Sequence, residues 1–548
     1  MQIQNGLTFL QKRNLKSDLW GDAPAYDGKG TEEVIDSFSA YGSYYVLEHD
    51  ADETDYADYC NKLVAFGFTL YASKTSNGNR FATYTDGENI VNVSYIRYKD
   101  VDRYVTREVS YVAIAVDSVR NSALPCKCEA YQKITTVQVS MMNVLLSFVV
   151  RLEDGRFLII DGGLKPAADR IYDALCSQNV RDGKPVVAAW MFSHPHCDHV
   201  DGFIHFLEAY GDAVEIQSVI HNFPGESTYV GKNYMEYHMQ RVSDSITKVC
   251  MDIKRLMNEK KPDAKLIVAH AGQAFEYPGV KLEVLMTSEN LYKKQMFDSN
   301  MSSVVYMLTM PTGKLLALGD AVEGAAKILR KIYEKDLQCD AVILAHHAVN
   351  GGDEELYHHT KAKAAIWPNV LENIFGERNL FCHYTNHFNY NAVKHNFIMS
   401  KDDPIMILHD GMTAEELAHF APRYEIPKTE VMCFENRKKP KNELHTDRLN
   451  EGYGDVPRYY GKGEETENLS INSEEKTYTV TIRNTTPYWF EYYRNSLKRD
   501  GYKQISESKT DDYHSVTYAD PKNEVRVCFN DGVLEILVGR AGVNTLEY

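Results

Sequence analysis

Three histidines and an aspartate stand within six positions of the stretch SHPHCDHVDG (193–202): His194, His196, Asp198 and His199. Imidazole and carboxylate are donors that hold zinc, and manganese and iron accept the same groups. The stretch follows the apolar run Val186 to Phe192, whose uninterrupted hydrophobicity predicts a strand buried on both faces. Residues two apart point the same way on extended chain and diverge by about 200° on a helix. His194 and His196 therefore converge if the chain is still extended there, and Pro195 disfavours the helix. Asp198 and His199 come next on a turning backbone and are better placed for a second ion. Two ions about 3.5–4 Å apart can share a bridging hydroxide and clamp both ends of a displacement. A histidine-rich loop without metal is the competing reading.

One short segment supplies only half of two coordination spheres, so further ligands must come from the ends of other strands. Asp320 follows the run Leu315-Leu316-Ala317-Leu318, and a carboxylate there could bridge both ions. His346 and His347 follow Val342-Ile343-Leu344-Ala345, and the sequence does not settle which of them touches metal, although His346 is favoured. Upstream, GRFLIIDGG ends a strand at Asp161, with Gly162 and Gly163 for a tight turn.

This constellation resembles the metallo-β-lactamase-fold hydrolases, carried by Asp161 in IIDGG, by HPHCDH, by Asp320 in ALGD and by His346 in LAHHA. The likeness spans roughly residues 133–360. DSNMSSVVYML (298–308) and the double histidine are closest to the branch with competence-protein C-terminal domains and phosphorylcholine esterase. The resemblance implies an αββα sandwich that gathers its ligands at one edge of two sheets. It implies His194, His196 and Asp320 on one ion and Asp198, His199, Asp320 and His346 on the other. Asp161 would be the acceptor that fixes a histidine tautomer. A metal-bridging hydroxide would be the nucleophile, oriented by Asp198, with His347 donating a proton to the leaving oxygen or binding an anionic substrate.

Two departures from that pattern stand out. Ala348-Val349 replaces the Gly-Ser that follows the double histidine in the competence proteins, which weakens a nuclease reading. Many members also place a further first-site histidine where this chain has LEVLMTSEN, and only His221 and His270 lie near enough to substitute. Solvent or substrate is expected to complete that sphere instead. Cys197 should alternate away from the cluster into packing, and Glu323 and Asn300 are candidates at the rim. His383, His387 and His395 form a packed or surface cluster, or the wall of a substrate pocket.

The rest of the chain must position these groups. At 548 residues the sequence is long enough for about three domains. A net charge of −17 argues against bulk nucleic-acid binding, which starts from a basic footprint. No signal-like opening and no apolar run of membrane length is present, which predicts a cytoplasmic protein without a span. Ten cysteines in a chain of this length predict plain thiols, including the lone pair Cys126 and Cys128.

The two ends resemble each other. YADYCNKLVAFGFTLYASK (56–74) lies on FEYYRNSLKRDGYKQISES (490–508), and one offset of 434 continues through Asn89 and Asn523. Each copy reads as strand, helix and two or three further strands. Tyr56, Tyr488, Trp489 and Tyr492 on these helices are either helix–sheet core or a partner face.

The expected fold is thus α+β: a central αββα metallo-β-lactamase sandwich (131–434) flanked by two duplicated small α+β modules (1–130 and 477–548), with a linker at 435–476. The expected function is metal-dependent hydrolysis of a phosphoester or phosphodiester, with two divalent metal ions, zinc first and manganese or iron possible. A lactone, amide or thioester hydrolase and a non-catalytic metal-binding scaffold are the alternatives. The partner is a small-molecule or anionic ester substrate, and a homo-oligomer through the terminal modules is open.

Overall fold

A computed structural model describes residues 23–36, 43–102, 105–118, 139–142, 146–223, 249, 252–291, 299–349, 351–375, 383–399, 405–408, 412–422, 424, 456, 459, 464–472, 477–483, 485, 487–499, 501–510, 513–521 and 523–540. The chain forms two compact units, Met1–Cys433 and Phe434–Tyr548. Cys126, Cys128 and most of the charged stretch after residue 435 lie outside the described residues.

Two sheets face each other in the first unit. One runs in the order Lys265–Val268, Ser218–His221, Val186–Met191, Phe157–Ile160, Phe148–Arg151, Val139–Met142, Ile405–Leu408. The other runs Ala274–Tyr277, Val280–Met286, Val305–Met310, Gly313–Ala317, Ala341–Ile343, Ala364–Val370, His395–Met399. The period of two along each strand decides which core a residue joins. Phe148, Val150, Leu158 and Ile160 meet Leu282, Val284, Tyr306, Leu308, Leu315 and Ala317 between the sheets. Their neighbours Val149, Phe157 and Ile159 turn outward onto the helices Ala167–Gln178 and Cys197–Tyr210 through Ile171, Leu175, Phe203 and Phe206. Trp367, on the far face of the second sheet, packs on Phe375 and on Tyr390 of the helix His383–Ala392. The layers are therefore helix, sheet, sheet, helix.

Each sheet contains a run of four parallel strands, Phe157–Ile160 to Lys265–Val268 and Gly313–Ala317 to His395–Met399. Parallel strands all end on the same side, and their carboxyl ends are where open α/β sheets hold ligands. Asp161, His194, His196, Asp320, His346 and His347 all follow such ends.

A six-stranded antiparallel sheet precedes the sandwich, in the order Thr31–Asp36, Ser43–His49, Val105–Ser118, Asn89–Asp102, Asn79–Thr85, Thr69–Ser76, with the helix Glu53–Ala65 after its second strand. The second unit holds a sheet of the same order: Glu464–Asn472, Thr477–Arg483, Val533–Arg540, Asn523–Asn530, Tyr513–Ala519, Lys503–Lys509, with the helix Pro487–Arg499 in the same place. Each has a strand before and a strand after the elements that the sequence pattern brings out. Glu464–Asn472 corrects the linker reading of that stretch: backbone pairing to Thr477–Arg483 makes it a strand despite its polar composition. Tyr56 packs against the core of its module and Trp489 is buried, so neither forms an exposed aromatic face. The side chains of Tyr488 and Tyr492 lie outside the described residues.

The first module is docked on the sandwich. Phe81 stacks on Tyr333, Lys74 pairs with Glu283 at 2.9 Å, and Asn79 donates to the carbonyl of Ile332. Among the described residues no helix is long and apolar enough to cross a membrane.

Candidate metal centre

The apolar strand Val186–Met191 delivers an extended segment, and His196 is the N-cap of the helix Cys197–Tyr210 with φ −76° and ψ 152°. His194 and His196 are thus on extended chain, with His194 Nε2 2.9 Å from His196 Nδ1. Asp198 and His199 sit in the first helical turn. Close backbone contact fixes that turn: Gly162 N–H donates to the His199 carbonyl at 2.6 Å and Gly202 N–H to the Gly163 carbonyl at 2.8 Å. A Cβ on Gly202 would stand 2.0 Å from the Gly162 carbonyl oxygen. Gly202→Ala is therefore expected to push the helix off the turn, destabilising the fold by about 1–3 kcal/mol as overpacking does. A lower melting temperature together with weaker zinc binding checks this; an unchanged melt would show that the contact yields.

The cluster is buried: His194 and His199 are fully enclosed, and Asp320 is 1% exposed. Asp320 Oδ2 lies 3.2 Å from His199 Nε2, 3.6 Å from His347 Nε2, 3.7 Å from His194 Nε2 and 3.9 Å from His346 Nε2. Asp198 Oδ2 lies 3.1 Å from His347 Nε2, and Asp198 Oδ1 is 4.0 Å from His199 Nε2. Among the described residues two groups of donors come close enough for an ion: His194, His199 and Asp320, and Asp198, His199 and His347.

Asp161 stands behind the histidines. Its backbone is left-handed, with φ +56°. One carboxylate oxygen accepts from the Ser193 N–H at 2.7 Å, and the other accepts from the Ser193 hydroxyl at 2.7 Å and from His199 Nδ1 at 2.9 Å. Ser193 Oγ is also 3.0 Å from His194 Nδ1, so it accepts that ring's proton while giving its own to Asp161. Both rings then turn Nε2 toward Asp320, and that of His194 is without its proton. The sequence pattern does not single out this serine.

The buried carboxylates favour positive charge in the space between them. Burial opposes a charge on His199, but the carboxylates of Asp320 and Asp161 outweigh it and raise its pKa well above the ordinary value. Burial, and after it the His199 charge, pushes His194 well down. Asp320 ionises well below the usual carboxylate range because His199, His347 and His194 overcome its burial. Asp198 is likewise lowered against its burial, first by His347, whose Nε2 lies 3.1 Å from its carboxylate, and then by the charge of His199. His199 Nε2, Asp320 Oδ1 and both ring nitrogens of His347 are buried without a hydrogen-bond partner of good geometry. Buried polar atoms are rarely left so. Inward-facing imidazole lone pairs around carboxylates are what a divalent cation satisfies, and the donor set fits one.

His346, His347 and Ala348 are three successive non-glycine residues with positive φ, at 50°, 52° and 58°. Such backbone costs roughly 1–2 kcal/mol per residue and survives only when its surroundings over-determine it. Here Asn369 Nδ2 donates to the His347 carbonyl at 3.0 Å and Asn386 Nδ2 to the Ala348 carbonyl at 2.9 Å. The turn aims His347, rather than the favoured His346, at Asp198. His346 Nε2 instead lies 3.3 Å from Asn300 Nδ2, and its side chain is 27% exposed.

Other candidates fall elsewhere. His221 and His270 end the next two strands outward from Val186–Met191, each strand a further step of about 4.8 Å across the sheet. His221 is buried with its pKa lowered to about 3 by burial, and its Nδ1 accepts from the Phe223 N–H. His270 is held between Asp117 and Glu289. Cys197 is exposed rather than packed. His387 is buried with its ring 5.0 Å from that of Phe375. The side chains of Glu323 and His383 lie outside the described residues.

No family model matches the sequence, and no curated protein matches it. Among solved structures the chain is similar to the metallo-β-lactamase fold protein YhfI from Bacillus subtilis, at 10% identity over 42% of this chain and 84% of that one, with a TM-score of 0.26. It is also similar to zinc-bound PqqB from Methylobacterium extorquens, at 14% identity over 36% of this chain and 56% of that one, with a TM-score of 0.23. A third is CmlA, a diiron β-hydroxylase from Streptomyces venezuelae, at 11% identity over 46% and 49% of the two chains, with a TM-score of 0.28.

Proposed function

We propose that this chain is a metal-dependent hydrolase that takes two divalent cations, zinc first among them, and acts on a phosphoester or phosphodiester. The carrying observation is the convergence of His194 and His199 Nε2 on Asp320, each ring anchored from behind by Ser193 or Asp161. His194, His196 and Asp320 would hold one ion; Asp198, His199, His347 and Asp320 would hold the other. Bound there, the ions would lower the pKa of a water and polarise the scissile ester.

The chain's own groups do the rest. Asp198, partly exposed beside His347, orients the attacking water and accepts its hydrogen bond. His346 at the rim takes the role of proton donor to the leaving oxygen that the sequence gives to His347. Anionic esters suit a site whose cations supply the positive charge. The strained His346–Ala348 turn favours catalysis over a scaffold, because a purely structural metal does not need left-handed backbone at its ligand.

The test is a panel of bis-aryl phosphodiester, phosphomonoester, lactone and β-lactam substrates, with bound metal measured on the same sample and Asp198→Asn as control. Phosphodiester turnover that falls by about 10²–10⁴ in the variant is expected, the usual range for losing a group that handles the proton. Turnover of the lactone alone would move the chain to the other hydrolase reading. Turnover of nothing by fully metallated protein would leave a binding role.

A further inference from the structure

The outer nitrogen of His196 is met from the opposite sheet by Ser299, as that of His194 is approached by Ser303 Oγ at 3.4 Å. His194 and His199 are anchored by Ser193 and Asp161, on or next to their own strand end. His196 Nε2 lies 2.5 Å from the hydroxyl of Ser299, at the start of the 3-10 turn Ser299–Ser302 that leads into the strand Val305–Met310. That turn is itself fixed. Ser302 Oγ donates to the Ser299 carbonyl at 2.6 Å, Ser303 N–H to the Asn300 carbonyl at 3.2 Å, and Val304 N–H to the Ser193 carbonyl at 2.8 Å. Ser299 is fully buried.

The orientation of the ring follows from what each nitrogen faces. His196 Nδ1 is 2.9 Å from His194 Nε2, the nitrogen that Ser193 keeps free of its proton by taking the Nδ1 proton. Two lone pairs at that separation repel unless a proton or a cation stands between them. A proton on His196 Nε2, accepted by Ser299 Oγ, leaves Nδ1 as the second lone pair and makes the pair a cation site.

We propose that Ser299 is a positioning residue for the first ion: its hydroxyl accepts from His196 Nε2 and thereby turns Nδ1 toward the ion shared with His194 and Asp320. This rests on the metal-centre reading above. It also gives the chain's departure from the usual first-site histidine a physical counterpart. With one imidazole fewer on that ion, the two that remain have more of the binding to do, and a fixed tautomer is worth correspondingly more. The neighbouring Asn300, at 3.3 Å from His346 Nε2, ties the same turn to the rim of the site.

Ser299→Ala and Ser299→Thr test it, by zinc titration against a chelating dye and by the d–d absorption of the cobalt-substituted protein, with circular dichroism as the check on folding. Ser299→Ala is expected to weaken one of the two ions by roughly 10–100-fold, the range seen for outer partners of metal-bound histidines, and to change the cobalt band of that ion alone. Ser299→Thr keeps the hydroxyl and is expected to stay close to wild type. Ser299→Cys, of nearly the same size but a weaker acceptor, should fall between and stands in if the alanine variant does not fold. Two tight ions in the folded alanine or cysteine variant, with wild-type spectra, would overturn the role of Ser299 and leave the metal centre intact. A wild-type protein that binds no ion at all would overturn the metal centre itself.

Discussion

Asp320→Asn is expected to empty the centre and to lower turnover by on the order of 10³-fold or more, about 4 kcal/mol of transition-state stabilisation. The substitution keeps shape and loses charge. Asp320 lies within 4 Å of four imidazoles, His194 and His199 on one side and His346 and His347 on the other, whereas Asp198 comes within that distance of His199 and His347. Its backbone N–H donates to Ser303 Oγ at 3.0 Å, a contact the amide side chain leaves untouched. An asparagine there offers one neutral oxygen and two N–H donors to a space where four imidazoles already gather. It can neither bridge two cations nor balance them. Elemental analysis of the variant should find less than one ion per chain where the wild type holds two, and phosphodiester turnover should fall in step. Retention of both ions and of activity would remove Asp320 from the centre and leave the two cations to be held by the other groups.

The parts of this centre that were legible in the sequence are those governed by strand periodicity. The run Val186 to Phe192 has no polar position because the strand is buried on both faces, by the facing sheet on one side and by the helices on the other. Asp161, Asp320 and the histidine pair could be read as strand-end residues because each follows an apolar run and precedes a turn. What was not legible depends on groups distant in the chain. The approach of His347, rather than His346, to Asp198 goes with three left-handed residues, two of whose carbonyls accept from Asn369 and Asn386, which carry no pattern of their own. Ser299 lies 103 positions from His196 and looks like any other serine. Cys197 could not be placed by alternation because the chain becomes helical at that residue, ending the period of two. His270 resembled a spare metal ligand because its partner Asp117 lies 153 residues earlier, in the first module.

That histidine carries the second large expectation: the docking of the first module should weaken as pH rises, and His270→Gln should abolish the dependence. His270 is buried, with Nδ1 2.9 Å from Glu289 Oε1 and Nε2 3.0 Å from Asp117 Oδ2. Burial alone would lower its pKa; the two carboxylates outweigh it and raise the value to about 10. An unfolded histidine titrates near pH 6.5, so the folded form binds the proton more tightly. The stability this group contributes is then fully present below about pH 6.5 and is lost as pH climbs through about 10. The network reaches further, since Gln273 donates to Asn92 of the module at 3.2 Å and Asn222 donates to Glu289 at 2.9 Å. Removing the imidazolium leaves two buried carboxylates facing each other, and breaking a buried pair in this way typically costs about 3–5 kcal/mol. The wild-type melting temperature should therefore fall steadily between pH 7 and pH 10, with the variant already low at pH 7 and flat across that interval. Parallel slopes in the two proteins would place the titrating group elsewhere, because a histidine that is neutral at pH 7 has no proton left to lose.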